Sequence, residues 1–335
     1  MRSTIFALTA ALAVTVTACG NRSPVAYGEA NSIIVVAPDS LWSAVGDTVH
    51  SIMEPRFFTV RDERTFALTH VSPADPDWAQ LQEWKQILVI GRQDDPWIAP
   101  VLAGRRESLP PLPALVEKTD IWARGQTVTA LVLPDHDLAG QVLEILPQLH
   151  EHYDEWFRRY VLQRMYVSGL NTALQDTLRE EGSFTLLLPN VYTWSREDEK
   201  TFRFLNANRN QGALDRSILV SWREGTEVPT AEELVAWRDA ISETIYEWGV
   251  RTDTEQVRSR TPDGFAEGST ELQGVWVGTD PTFPMAGPFL TRAVVCPELD
   301  RTYLLDAWLY APSRDKYEYV LQLQTILDSF ERAHV

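Results

Sequence analysis

The densest set of potential metal ligands in the sequence is Asp135-His136-Asp137 with His150, His152 and Asp154. Carboxylates and imidazoles of this kind suit zinc or another divalent ion, but their spacing does not gather them. His150 and His152 differ by two positions, about 200° around a helix, so only His150 and Asp154 share a face. Asp135 and Asp137 stand where a helix N-terminus favours negative charge, which is a sufficient structural cause. No metal and no cofactor are therefore assigned. A Gly-x-Ser-x-Gly elbow, a His-Glu-x-x-His pair, a phosphate-cradling Gly-x-x-x-x-Gly-Lys loop and a Cys-x-x-Cys pair are all missing, and no catalytic residue is assigned. Cys296 closes the apolar run Ala293-Val294-Val295 and precedes Pro297, which fits a buried strand thiol better than a nucleophile.

The remaining chemistry is aromatic. Twelve Trp residues suit stacking on sugar rings or an aromatic protein interface as well as a core. Trp222, Trp237, Trp248, Trp276 and Trp308 fall in phase with apolar neighbours and read as core. Trp78, Trp97 and Trp122 lie in polar or proline-rich stretches and are the candidates for an exposed aromatic surface. Pro281, Pro284 and Pro288, with Gly278 and Gly287, shape a rigid loop carrying Met285 and Phe289. Such a loop is either a binding lip or a turn whose apolar residues plug the core. Asp47, directly after Gly46 in an otherwise inward-facing helix, reads as a buried polar anchor hydrogen-bonded to a loop rather than a catalytic acid.

The elements that must position these residues follow from periodicity. Ile33 to Ala37 is a continuous apolar run of strand length, followed by Pro38-Asp39-Ser40 and a helical pattern at Leu41, Val45, Val49 and Ile52. Phe57 to Val60, Ile87 to Ile90 and Thr127 to Leu133 read as further strands, and a long helix follows Pro134-Asp135 with Pro147 inside it. Beyond Gly182 the style changes to strict alternation: Phe202 and Phe204, then Ile218, Val220 and Trp222, then Tyr303, Leu305, Ala307 and Leu309. Alternation of this kind marks an antiparallel sheet with two unlike faces. Thr230-Ala231-Glu232-Glu233 is a capping box opening a helix with Leu234, Trp237, Ile241 and Ile245 inward, and Ser313 precedes a terminal helix. The expected class is α+β in two units, each a mostly antiparallel sheet packed on one face by long helices. The expected spans are residues 30–150 and 182–335, joined by a helical region over 151–181.

A length of 335 residues accommodates about two domains. A formal charge of −17 repels phosphate backbones and anionic lipid, which excludes nucleic acid and a basic membrane-binding face. Met1-Arg2 is a short positive start, and Ile5 to Val16 is apolar but too short to span a bilayer of about 20 residues' depth. Val16-Thr17-Ala18-Cys19 resembles the lipobox of bacterial lipoproteins, which implies removal of residues 1–18 and acylation of Cys19, with residues 19–29 as a tether. Several acyl chains give a stable anchor. If Cys19 is lipidated, Cys296 has no intrachain partner. Gly20 is not the acidic residue that some bacteria use for inner-membrane retention, so the expected place is the outer membrane, on its periplasmic side.

Four stretches carry a wider resemblance: Ser40-Leu41-Trp42 with Val45-Gly46-Asp47; Gly182-Ser183-Phe184 through Pro189 to Trp194; Gly274-Val275-Trp276 with Met285-Ala286-Gly287-Pro288-Phe289; and Tyr310-Ala311-Pro312-Ser313 with Lys316. Together they resemble the DUF4837 family of bacterial envelope lipoproteins, of which Met285 to Phe289 is the most specific block. The resemblance implies an envelope location and carries over no catalytic residue. The resulting expectation is a lipid-anchored, non-enzymatic binding or adaptor module with an envelope protein as partner. The alternative is an enzyme or small-ligand binder acting on glycan or lipid through carboxylates in a cleft.

Overall fold

A computed structural model describes residues 23–207, 213–246, 249–260 and 269–332. The signal segment, Cys19 and Trp248 lie outside the described residues. In chain order the elements are β1 (Ser32–Val36), α1 (Asp39–Met53), β2 (Arg56–Phe58), β3 (Asp62–Arg64), β4 (Ala67–Val71), α2 (Trp78–Leu81), β5 (Gln86–Arg92), α3 (Ala99–Leu102), β6 (Ala114–Thr119) and β7 (Thr127–Leu133). They continue as α4 (Leu138–Met165), α5 (Thr172–Gly182), β8 (Phe184–Thr185), β9 (Thr193–Arg196), β10 (Thr201–Ala207), β11 (Asp215–Glu224), α6 (Ala231–Ile245), β12 (Val250–Arg260), β13 (Thr270–Gly278), β14 (Ala286–Cys296), β15 (Arg301–Tyr310), α7 (Tyr317–Asp328) and β16 (Glu331–Arg332). No helix among the described residues is long and apolar enough to cross a membrane.

The chain is α+β and falls into two compact units. The first takes in residues up to 39 and 69–135; the second takes in 40–68 and 136–335. This division differs from the expected boundary at 150/151, because α4 runs unbroken through that point and belongs wholly with the second unit.

The first unit holds a five-stranded sheet in the order β4-β1-β5-β7-β6. Here the pairing corrects the expectation of a mostly antiparallel sheet in each unit: β1 with β5 and β5 with β7 run parallel, and β6 joins β7 antiparallel. The cause is visible in composition. Every residue of β7, and all of β5 but Arg92, is buried, as happens when both faces of a parallel sheet are covered. One face, with Ile34, Val36, Ile87, Val89, Val128 and Ala130, packs against Trp78, Ile98 and Val101.

The second unit is built on an antiparallel seven-stranded sheet, β12-β13-β14-β15-β11-β10-β9. The alternating residues read from the sequence share one face: Phe202, Phe204, Ile218, Val220, Trp222, Tyr303, Leu305, Ala307 and Leu309 form a single core with Val320, Leu323, Ile326 and Leu327 of α7. Because side chains alternate along a strand, Leu304 and Trp308 point the opposite way, where they join Leu234 of α6. Helices therefore cover both faces of this sheet, not one.

Local signals behave as expected at α6. Thr230 Oγ1 accepts the Glu233 amide at 3.3 Å, and the Glu233 carboxylate accepts the Thr230 amide at 2.8 Å. Thr230→Ala is expected to cost about 1 kcal/mol in urea unfolding, since one amide of the first helical turn then loses its acceptor; a change below the error of that measurement would show the cap to be redundant. At α7 the cap is not local. Ser313 sits in the left-handed region at φ 60, and the Glu63 carboxylate takes the amides of Lys316 at 2.6 Å and Tyr317 at 3.2 Å instead.

Candidate functional site

The C-terminal unit carries a cleft of about 190 Å³ where the end of α4, the ends of β10 and β11 and the first turns of α7 converge. Its outer wall is a pair of loops zipped together. After Met165 the chain turns through Gly169, at φ 79, and Asn171 caps α5 by accepting the Leu174 amide at 3.1 Å. Leu170 bridges to Pro189, the Asn171 amide donates to Leu188 O at 2.9 Å, and the Asn190 amide returns to Gly169 O at 2.9 Å. Asn190 Nδ2 adds a bond to Ser168 O at 2.7 Å. Two short loops thereby become a fixed lip with Val167 and Val191 at its edge, 85% and 52% exposed.

The floor is polar. Asn206 and Arg216 are cross-strand partners on β10 and β11 and both line the cleft. Arg216 Nη1 donates to Gln322 Oε1 at 2.6 Å, and its guanidinium lies over the Tyr319 ring at 5.7 Å. Arg216 Nε, Tyr192 Oη and Ser168 Oγ are buried and have no hydrogen-bond partner among the described residues. Such groups cost about 1–3 kcal/mol each while unpaired. Burial pushes the Tyr192 phenol up to about 12, against the opposing field of Arg216. Glu318, the lining carboxylate, is engaged by Arg164 at 3.7 Å and by Gln322 Nε2 at 3.4 Å.

Two further charged clusters lie inside this unit. On the α6 face, Arg238 Nε donates to Asp306 Oδ1 at 2.8 Å, Nη1 donates to Thr252 Oγ1 at 3.0 Å, and Asp239 takes the Thr252 hydroxyl at 2.7 Å. Burial raises the Asp306 carboxyl above its ordinary range, and Arg238 opposes that rise. On the α7 face, Arg292 Nε donates to Glu271 at 2.6 Å and Nη2 to Asp328 at 2.7 Å. The arginine side chains are fully buried, and the clusters tie a helix to each face of the sheet. Their position suits clamps better than a substrate site.

The residues singled out from the sequence lie elsewhere. Trp78 is buried and meets Trp122 edge-to-face at 5.4 Å, while Trp97 donates its indole N–H to Ile90 O at 3.0 Å. All three pack on one face of the five-stranded sheet, so they form a hydrophobic layer instead of an exposed aromatic surface. The prolines and polar neighbours that suggested exposure belong to the turns between which these rings fold inward. Phe289 is 1% exposed and lies under the Arg238 guanidinium at 4.0 Å. Met285 is half-buried against the same core. The open choice between a binding lip and a core plug resolves to the plug for these two, and the exposed ring of that loop is Phe283, at 60%. Asp47 is exposed. Asp137 caps α4 by accepting the Gly140 amide at 3.2 Å, and Asp154 accepts from Arg158 at 2.6 Å and Tyr317 at 3.3 Å. Among the described residues no three metal-ligating side chains converge. Cys296 is a buried thiol.

Sequence reasoning missed the cleft because its parts span residues 164–322 and none is a motif. One local signal was available: Arg216 interrupts the stripe of β11 just ahead of Ile218, Val220 and Trp222. Arg238 and Ser242 had a comparable signal, recurring four and eight positions after Leu234 on the inward stripe of α6.

The comparison with curated proteins returns no match. Among solved structures, similarity is to the Ran-binding protein Mog1p of Saccharomyces cerevisiae, at 12% identity over 45% of this chain and 90% of that one, with TM-score 0.33. Cyanobacterial PsbP from Synechocystis is 13% identical over 45% of this chain and 86% of that one, with TM-score 0.30. A Bacteroides thetaiotaomicron protein is 10% identical over 45% of each chain, with TM-score 0.20. Residues 26–166 match a domain of unknown function, DUF8532, so the block Ser40 to Asp47 belongs to that model and not to the resemblance expected over nearly the whole chain. The two matched regions meet next to the zipped loops, and residues 171–329 match the family model of DUF4837, a domain of unknown function.

Proposed function

We propose that this chain is a non-enzymatic binding module of the bacterial envelope, anchored in the outer membrane by lipidated Cys19, and that a protein partner docks over the cleft of the C-terminal unit. The observation that carries the reading is the combination at that cleft: a floor with three buried polar groups that have no partner among the described residues, beneath a rim of exposed Val167 and Val191. An apolar edge around a few convergent polar groups matches the anatomy of recognition sites. Carboxylate-pair hydrolysis needs two acids converging on one cleft, whereas this one presents Glu318 with Arg164 and Arg216.

The test is site-specific photocrosslinking in intact envelopes. A photoreactive residue at Val191 is expected to yield a discrete adduct with one protein. The same residue at Leu143 or Val228, exposed positions away from the cleft lining, should yield none. Cys19→Ala should abolish both membrane retention and the Val191 adduct. Equal adducts from all three positions would overturn the docking reading, and membrane retention without Cys19 would overturn the anchor.

A further inference from the structure

We infer that the cleft is a carboxylate receptor: the group held there by the partner is a carboxylate, presented next to a small apolar side chain, as at a free chain terminus. The inference rests on the docking reading and specifies its chemistry.

Its basis is the state of Arg216. Among the described residues the Arg216 guanidinium has one hydrogen bond, from Nη1 to Gln322, and no ion-pair partner, although the molecule carries 47 acidic residues against 30 basic ones. Neighbouring arginines behave differently: Arg164 meets Glu318 and Arg203 meets Glu197. Arg216 is held in place from three sides by the Gln322 bond, the Tyr319 ring and its register between Asn206 and Leu309. What remains is the edge formed by Nε and Nη2. Two parallel N–H groups on one edge are the arrangement that grips a carboxylate in bidentate fashion. The buried Tyr192 hydroxyl supplies a third donor beside it, and Ser168 a rotatable fourth.

Size and charge narrow the choice. A volume of about 190 Å³ suits a terminal residue rather than a folded element. Leu214 and Met165 supply apolar wall for a small side chain. A phosphate dianion would call for more than one free cation, and Arg164 is already committed to Glu318.

The probe is N-acetyl-L-alanine, with its neutral amide and inorganic phosphate as controls, titrated into the mature chain and followed by the Arg216 Nε–Hε nuclear magnetic resonance signal. That signal is assigned by its loss in Arg216→Lys. N-acetyl-L-alanine is expected to move it saturably and the amide to leave it in place. In Arg216→Lys, which keeps the charge and removes the fork, the affinity read at the Tyr192 amide should fall at least tenfold. No movement with the acid, or equal movement with the amide or with phosphate, overturns the inference. A silent Arg216 signal together with a retained Val191 adduct removes the carboxylate and leaves the docking reading standing; loss of the adduct removes both.

Discussion

Asp306→Ala should destabilise the C-terminal unit by about 3–5 kcal/mol, the usual cost of leaving one member of a buried ion pair without its partner. The Arg238 side chain is fully buried, and its Nε points at the Asp306 carboxylate 2.8 Å away. Thr252 and Asp239 satisfy only Nη1. With Asp306 gone, the guanidinium stays in the interior over the Phe289 ring, with its charge uncompensated on that side. The double substitution Arg238→Met with Asp306→Leu should recover most of the loss, because desolvation of both charges disappears together and the methylenes still fill the space. Urea unfolding of the unsubstituted chain, the single substitution and the double substitution measures the difference. A single substitution as mild as the double one would mean that α6 is held to the sheet by apolar contact alone.

Gly287→Ala should be comparably damaging, by about 3 kcal/mol or more, since overpacking and loss of a buried hydrogen bond combine. Gly287 faces Trp276 across the β13–β14 ladder. A Cβ at this position would overlap the Leu309 carbonyl oxygen and stand 2.7 Å from the Trp276 indole nitrogen. That indole donates to the same carbonyl at 3.1 Å in the buried core, so neither neighbour can give way cheaply. Gly278, in the same hairpin, is the control: a Cβ there would find its nearest atom 3.5 Å away on Met285, an ordinary contact. Thermal unfolding should separate the two alanine variants widely, and equal behaviour would contradict the packing account.

Gly287 also explains why the block Met285 to Phe289 is so distinctive in sequence. Gly287 admits the Trp276 indole, Pro288 is buried in the strand, and Phe289 supports Arg238. The block is specific because its packing is demanding. Of the two readings open for this loop, the folding constraint accounts for Gly287, Pro288 and Phe289.

The C-terminal unit was the more legible half. Strict alternation along β10, β11 and β15 assigned each residue to a face, and the core follows that assignment from Phe202 to Leu309. The N-terminal sheet was legible as strands but not in its pairing. The continuous apolar runs of β1, β5 and β7 already carried the mark of a parallel sheet covered on both faces, and a mark of that kind is independent of neighbouring order. What sequence could not supply were the contacts made over long separations. Glu63 caps α7 from about 250 positions away, a role that no local pattern encodes. The cleft is of the same kind, because Arg216 becomes notable only once Gln322, Tyr319 and Tyr192 surround it. Charged residues on inward stripes, such as Arg238 and Arg216, were the available hints, and each marks a place where the core pattern is broken for a polar reason.

The central claim is that a partner is held at this cleft through Arg216. It is tested most directly by the photocrosslinking yield from Val191 in envelopes carrying Arg216→Lys. Lysine preserves the charge and the strand but cannot offer two parallel donors. The account predicts that the Val191 adduct falls at least fivefold while membrane retention is unchanged; an adduct of undiminished yield would contradict it.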